Sequence, residues 1–220
     1  MKTIIWDLDG VLYPFDDAYY ANDFATEAKI MTRRGLADWN TAYAMAAKSQ
    51  ELYGGSYEIF MYEFGLDFDD LDKEFTETFA AGNFLKPDSK LISAFEKNRL
   101  GNILYSHGRH PWIARVLDQR GLSRFFKQDM IFSKYDFKQG EKSRYADGFL
   151  KIMELTGTKP TDAYMVENEE NNLRVPSELG MKPILIMGQT QYHKPPTKDF
   201  KGKVFYSPQA FLKSISGRCQ

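Results

Sequence analysis

Two aspartates stand two residues apart at the end of a short apolar run, Ile4-Ile5-Trp6-Asp7-Leu8-Asp9-Gly10. Side chains at i and i+2 of a strand share a face, so Asp7 and Asp9 would present two like charges together, which is costly unless a cation lies between them. A hard divalent ion meets that need, and Mg²⁺ is commonly held by one or two carboxylates together with a substrate phosphate. In such a site Asp7 would serve as a carboxylate nucleophile on phosphorus. Asp9 would protonate the leaving oxygen and later activate water.

Other chain segments end in polar groups suited to the same chemistry. Tyr105 is followed by Ser106-His107-Gly108, whose hydroxyl and backbone amides could donate to phosphate oxygens. A later loop carries Lys138 and Lys142, either of which could neutralise a transferring phosphoryl group. The segment Glu167-Asn168-Glu169-Glu170-Asn171-Asn172 combines acids with amides, and its acids also suit the N-terminus of a following helix. Arg109 and His110 stand beside these groups as candidates for substrate contact, and Tyr13 and Phe15 for a substrate-facing wall or for packing.

Positioning these residues requires strands that stop together. Apolar, β-branched runs occur at 3–8, Asn102–Ser106, Asp129–Phe132, Ala163–Glu167, Pro183–Met187 and Val204–Tyr206. Helical patterns separate most of them, as at Trp112–Arg120, Tyr145–Leu155 and Asn172–Leu179. The alternation predicts an α/β fold with a Rossmann-like parallel sheet covered on both faces, and ligands then bind outside the carboxyl ends of the strands. Residues 189–203, rich in lysine and carrying Pro195-Pro196, predict a surface loop before the last strand and helix.

Residues 15–84 break the alternation, with helical patterns at about 16–34, 37–53, 56–64 and 67–81 and no strand pattern. The domain assignment is therefore an α/β core of residues 1–14 and 85–220 with an all-helical insertion at 15–84. Asp38, Ser56 and Asp67 or Asp69 suit N-caps, and Gly35, Gly54-Gly55 and Gly65 suit helix ends. Sixteen of the 33 aromatic residues fall between Tyr13 and Phe84, which supplies a core for so small a bundle; an aromatic roof over a substrate is the sharper alternative. Lys29, Arg33, Arg34 and Lys48 could reach a second anionic group, although charges on helix faces are usually solvated.

The 220 residues balance 29 Lys+Arg against 30 Asp+Glu, a net charge of −1 that disfavours nucleic-acid or membrane-surface partners. A small-molecule partner is expected instead. With one cysteine, Cys219, there is neither a disulfide framework nor a cysteine-based metal cluster, which suits a cytoplasmic location. No apolar run has the length of a signal sequence or a membrane span.

Ile-Ile-Trp-Asp-Leu-Asp-Gly-Val-Leu at residues 4–12 resembles the first motif of the haloacid dehalogenase-like superfamily. Downstream, Tyr105-Ser106-His107-Gly108 is similar to the second motif, and Ile113 to Phe126 resembles the helix and turn that follow it. The stretches Phe149–Gly157, Lys159–Ala163, Val166–Asn168 and Asn172-Leu173 resemble the fourth-motif region, so that the resemblance spans nearly the whole chain. It implies a helical cap at 15–84 that closes over the site, a Mg²⁺ cofactor, and hydrolysis of a small phosphomonoester, a nucleotide or sugar phosphate, through an aspartyl-phosphate. Leu12-Tyr13-Pro14 leans toward the pyrimidine 5′-nucleotidase-like members.

Carried over by position, the resemblance implies catalytic Asp7, Asp9, Ser106 and Lys142, phosphate contacts from Ser106, His107, Gly108 and Lys142, and metal contacts from Asp7, Asp9 and Asn168. The family lysine usually precedes the aromatic that is here Phe149 by six residues, at the position of Ser143; Lys142 is one residue away and Lys138 five. Where the fourth motif normally has a second acid, this chain has Asn168, an amide that brings no charge and should weaken metal binding, with Glu167 as compensation. Haloacid dehalogenation fits less well, since it needs no second carboxylate to protonate an alkoxide. A phosphomutase similar to β-phosphoglucomutase and a non-catalytic binding protein of the same fold are the alternatives.

Overall fold

The computed structural model describes residues 2–53, 55–79, 85–188 and 195–216. They divide into two compact units, one of residues 2–14, 85–188 and 195–216, the other of 15–53 and 55–79.

In the first unit, β1 (Thr3–Trp6), β2 (Gly101–Ser106), β3 (Ile131–Ser133), β4 (Ala163–Glu167), β5 (Lys182–Ile186) and β6 (Lys203–Phe205) form one parallel sheet. The spatial order is β3-β2-β1-β4-β5-β6. This is the doubly wound Rossmann-type order, which reverses at β1 and opens a crevice at the carboxyl ends of the central strands. Register aligns those ends: Trp6 pairs with Leu104 and with Val166, and Ser106 with Ser133. Each expected strand is present within about two residues of its expected place. The third shows the offset best, because Asp129 lies in a 3₁₀ turn and pairing begins at Ile131.

Both sheet faces are covered, which explains why Thr3 to Trp6 are all buried instead of alternating. On one face Ile5, Ile103, Tyr105 and Met165 pack with Phe149 and Ile152 of α7 (Asp147–Thr156) and Leu173 of α8 (Asn171–Glu178). On the other, the Trp6 ring lies 5.1 Å from Phe95 of α5 (Ser89–Lys97) and 5.8 Å from Phe211 of α9 (Pro208–Ser216). The remaining helix of this unit is α6 (His110–Gln119), which follows β2.

The second unit holds α1 (Asp17–Arg33), α2 (Trp39–Tyr53), α3 (Glu58–Phe64) and α4 (Phe68–Thr78), with no strand among its described residues. Caps explain several boundaries. Asp16 accepts from Tyr19 N, Asp38 from Asn40 N and Thr41 N, and Asp67 from Asp70 N, while Gly65 ends α3 at φ +64°. Ser56 is a correction to the expected caps. Tyr57 precedes α3 without a side-chain cap, and the Ser56 hydroxyl is hydrogen-bonded to Asp23 instead. The aromatic residues pack on one another inside the unit: Phe15 stacks on Tyr19 at 4.0 Å, and Phe24 meets Tyr43 at 5.7 Å. The cations expected to reach outward are partly taken up, since Arg33 and Arg34 both pair with Glu74, while Lys29 and Lys48 are exposed.

Among the described residues no helix is long and apolar enough to cross a membrane. Residues 80 and 81 of the expected fourth helix, Gly54, and 189–194 of the expected loop lie outside the described residues, as does Cys219.

Candidate active site

The ladder of β1 continues one step past its last residue, with Asp7 N donating to Val166 O at 2.9 Å. That bond fixes Asp7 between β2 and β4 at the point where strand order reverses. The backbone then turns, Leu8 O accepting from Leu12 N at 2.9 Å, with Gly10 at φ +74°. A side chain at Gly10 would be strained at that φ, and its Cβ would stand 2.8 Å from Asn168 Cγ, so glycine here lets the β4 loop close over the β1 loop.

Lys142 is fully buried between two carboxylates. Its Nζ donates to Asp7 Oδ1 at 2.5 Å and to Glu167 Oε1 at 2.6 Å. Glu167, at the end of β4, also accepts from Asn172 Nδ2 at 2.9 Å, from Asn168 N at 2.8 Å and from Glu169 N at 2.9 Å. Burial alone would strip the Lys142 proton, but Asp7 and Glu167 overcome it and hold the ammonium charged well above its ordinary range. Asp7 is raised by burial first and by Glu167 second, with Lys142 opposing. Lys138, the other candidate, is exposed.

Asp9 faces a different set of partners. Its Oδ1 accepts from Tyr13 OH at 2.6 Å and Trp112 Nε1 at 2.8 Å, and its Oδ2 accepts from Ser106 Oγ at 3.0 Å. The Ser106 hydroxyl in turn accepts from Gly108 N at 2.9 Å. The two donors read as phosphate contacts thus serve Asp9 here, directly or through one another, and a phosphate taking them would replace these bonds. His107 turns elsewhere, its Nε2 accepting from Lys142 N at 3.2 Å. His110 pairs with Asp136, and the Arg109 guanidinium lies over the Tyr135 ring.

Assigned from the acceptors around it, the Asn168 amide has its Nδ2 toward Glu167 Oε2 at 3.0 Å and Asp9 O at 3.2 Å and donates to both. It therefore reaches the backbone carbonyl of Asp9, whereas the Asp9 carboxylate is occupied by its three donors. Among the described residues no donor reaches Asp7 Oδ2, which leaves one nucleophile oxygen anchored and one unengaged.

The sequence reading missed Trp112 and gave Asn172 only a place in a polar segment, with no role of its own. Trp112 sits on the apolar face of α6 and looks like core, and only the fold aims its indole N–H at Asp9. Asn172 has a local signal, five residues after Glu167 at the start of a helix, but its role as a clamp on the acid depends on the sharp turn between them.

No curated protein sequence matches the chain significantly. Solved structures share the fold. A conserved haloacid dehalogenase-like protein of unknown function from Agrobacterium tumefaciens is 18% identical with TM-score 0.66, covering 100% of both chains. CbbY from Rhodobacter sphaeroides, in complex with xylulose-1,5-bisphosphate, is 15% identical with TM-score 0.69 and 94% coverage of each chain. L-2-haloacid dehalogenase from Xanthobacter autotrophicus, with chloropropionic acid covalently bound, is 13% identical with TM-score 0.61 and 99% coverage of each. The family profile described as haloacid dehalogenase-like hydrolase matches residues 1–180, and with the first-motif aspartates, the buried lysine and the β4 acid gathered at one sheet edge, the chain belongs to that family of hydrolases.

Proposed function

We propose that this hydrolase cleaves a small phosphomonoester, a nucleotide or sugar phosphate, through an aspartyl-phosphate on Asp7, with Mg²⁺ as cofactor. The observation that carries the reading is the division of labour between two carboxylates: Asp7 is gripped at Oδ1 by Lys142 with Oδ2 unengaged, while Asp9 is held apart by Tyr13, Trp112 and Ser106.

Asp7 Oδ2 attacks phosphorus and the ester oxygen leaves with a proton from Asp9. Water then attacks phosphorus, Asp9 takes its proton, the Asp7–phosphate bond breaks and inorganic phosphate departs. Lys142 holds the nucleophile and, with Ser106 and Gly108, offers positive charge and donors to the phosphoryl oxygens. A second carboxylate able to pass a proton to the departing oxygen suits an alkoxide leaving group and has no use in halide displacement, which weighs against dehalogenation. The sugar bisphosphate bound by CbbY supports a phosphorylated metabolite as substrate class.

The charge balance suits a divalent cation. Asp7 and Glu167 are buried and share one ammonium, and Asp9 stands close enough to Asp7 to raise it further, so carboxylates outnumber cations at this sheet edge. Asp7, Asp9 and Asn168 would hold the ion, with Glu167 behind them, and bound Mg²⁺ would supply charge neutralisation for the phosphoryl oxygens.

Hydrolysis of p-nitrophenyl phosphate with and without Mg²⁺, for native protein and Asp7→Asn, tests the reading. Mg²⁺-dependent turnover abolished by the substitution is expected. Absence of turnover over a wide Mg²⁺ range, together with absence of Mg²⁺ binding by calorimetry, would overturn it.

A further inference from the structure

Lys142 must be placed to within a fraction of an ångström to span Asp7 and Glu167, yet it sits in a segment that is neither helix nor strand. What holds its backbone comes from the end of β2. Tyr105 OH donates to Gly140 O at 2.7 Å, and two residues on, His107 Nε2 accepts the Lys142 backbone N–H at 3.2 Å. Ser106 between them turns to Asp9. The i, i+2 pair therefore clamps the lysine segment while the residue between serves the acid.

Accepting that N–H requires a lone pair on Nε2, so the ring must be neutral with its proton on Nδ1. Glu141 Oε1 lies 3.4 Å from the same Nε2. Protonation at Nε2 would end the bond to Lys142 N and create an ion pair with Glu141 one residue earlier. We infer that His107 is a positioning residue for Lys142, whose neutral imidazole fixes the lysine and whose protonation releases it to Glu141.

The groups facing the ring agree. Burial first, then Lys142 and Lys134 in the turn after β3, oppose a charge on it and keep the ring neutral to well below its ordinary range, while Glu141 at 3.4 Å is the carboxylate placed to receive the ring once charged. The clamp thus holds at neutral pH and opens in acid. Its kinetic consequence rests on the phosphatase reading, but the hydrogen bond does not.

Two measurements separate these levels. In ¹⁵N NMR of the full chain the Lys142 amide should move together with the His107 ring signals as pH falls, and His107→Gln, whose amide oxygen keeps an acceptor, should abolish that movement. A Lys142 amide indifferent to His107 protonation overturns the inference whatever the enzyme does. With p-nitrophenyl phosphate, His107→Leu should lower kcat roughly 10- to 100-fold with a smaller effect on KM, as expected for a displaced catalytic group. His107→Gln should recover part of the loss and remove the acid limb of the pH profile. Equal kcat in all three proteins would also overturn it, whereas a native protein inactive toward phosphate esters would count against the phosphatase reading alone. Glu141→Gln, on a half-exposed side chain, provides a folded control and should shift the acid limb to lower pH.

Discussion

Asn168 stands where the family resemblance leads one to expect an acid, and it bears directly on the proposed metal. Its amide nitrogen donates to Glu167 Oε2 and to Asp9 O, so the position is neutral and already bonded within the protein. Asn168→Asp replaces a donor by a charge. Without Mg²⁺ the new carboxylate would face Glu167 and lower the melting temperature; with Mg²⁺ it would raise cation affinity by about 10-fold or more, roughly 1.4 kcal/mol. Calorimetry and thermal denaturation with and without the ion would show both effects. Unchanged Mg²⁺ affinity would mean that residue 168 does not contact the cation. At this scale the sequence singled out Asp7 and Asp9 by type and spacing, but not their geometry, because β1 ends at Trp6 and the two carboxylates take separate partners instead of sharing a strand face. It was silent where a donor arrives from another element: Tyr13 read as wall or packing and Trp112 only as the start of a helix, and their polar ends find Asp9 only after α6 and the β1 loop are packed.

Helix α1 buries acids that the reaction does not use. Asp23 and Glu27 lie one turn apart, with Glu58, Ser56 and Tyr57 facing them from α3 and its approach, Glu74 from α4, and Arg34 from the end of α1. Both Glu27 carboxylate oxygens are buried without a hydrogen-bond partner among the described residues. Burial, with Glu58 adding to it and Ser56 opposing, pushes Asp23 from 3.8 up to about 7, and burial with Asp23, Glu58 and Glu74 holds Glu27 well above its ordinary range. The sign follows from proton linkage. Between the unfolded and folded values the folded chain holds more protons, so stability is full below about pH 4 and falls as pH rises through about 7. Glu27→Gln should therefore stabilise the helical unit by roughly 1–3 kcal/mol above neutrality and by less in mild acid, read from thermal denaturation at two pH values. An equal effect at both would contradict the assignment. The helices themselves were legible through their caps and glycines, but Ser56 shows the limit, because a hydroxyl at a helix approach can equally satisfy a buried acid. α5 carried a readable signal, Asp88 as N-cap with Leu91 and Phe95 one turn apart, that the strand pattern overshadowed.

Across the whole molecule, the order β3-β2-β1-β4-β5-β6 explains why residues from positions 7 to 172 converge. A parallel sheet puts every strand's carboxyl end on one edge, and the reversal at β1 leaves Asp7 in the opening between neighbours. Strand-and-helix alternation announced that architecture in the sequence, since fully buried strands read as short apolar runs. The resemblance already favoured Lys142 over Lys138; what the sequence could not show is the reason, since the two share a loop and only Lys142 lies buried between Asp7 and Glu167 with its backbone held from β2. The central claim is that Asp7 Oδ2 is the nucleophile on phosphorus. Rapid acid quench during turnover of a phosphate ester, followed by mass spectrometry of proteolytic peptides, tests it most directly. The account predicts one added phosphoryl group on Asp7, absent in Asp7→Asn; turnover with no adduct, or with the phosphoryl group on another residue, would contradict it.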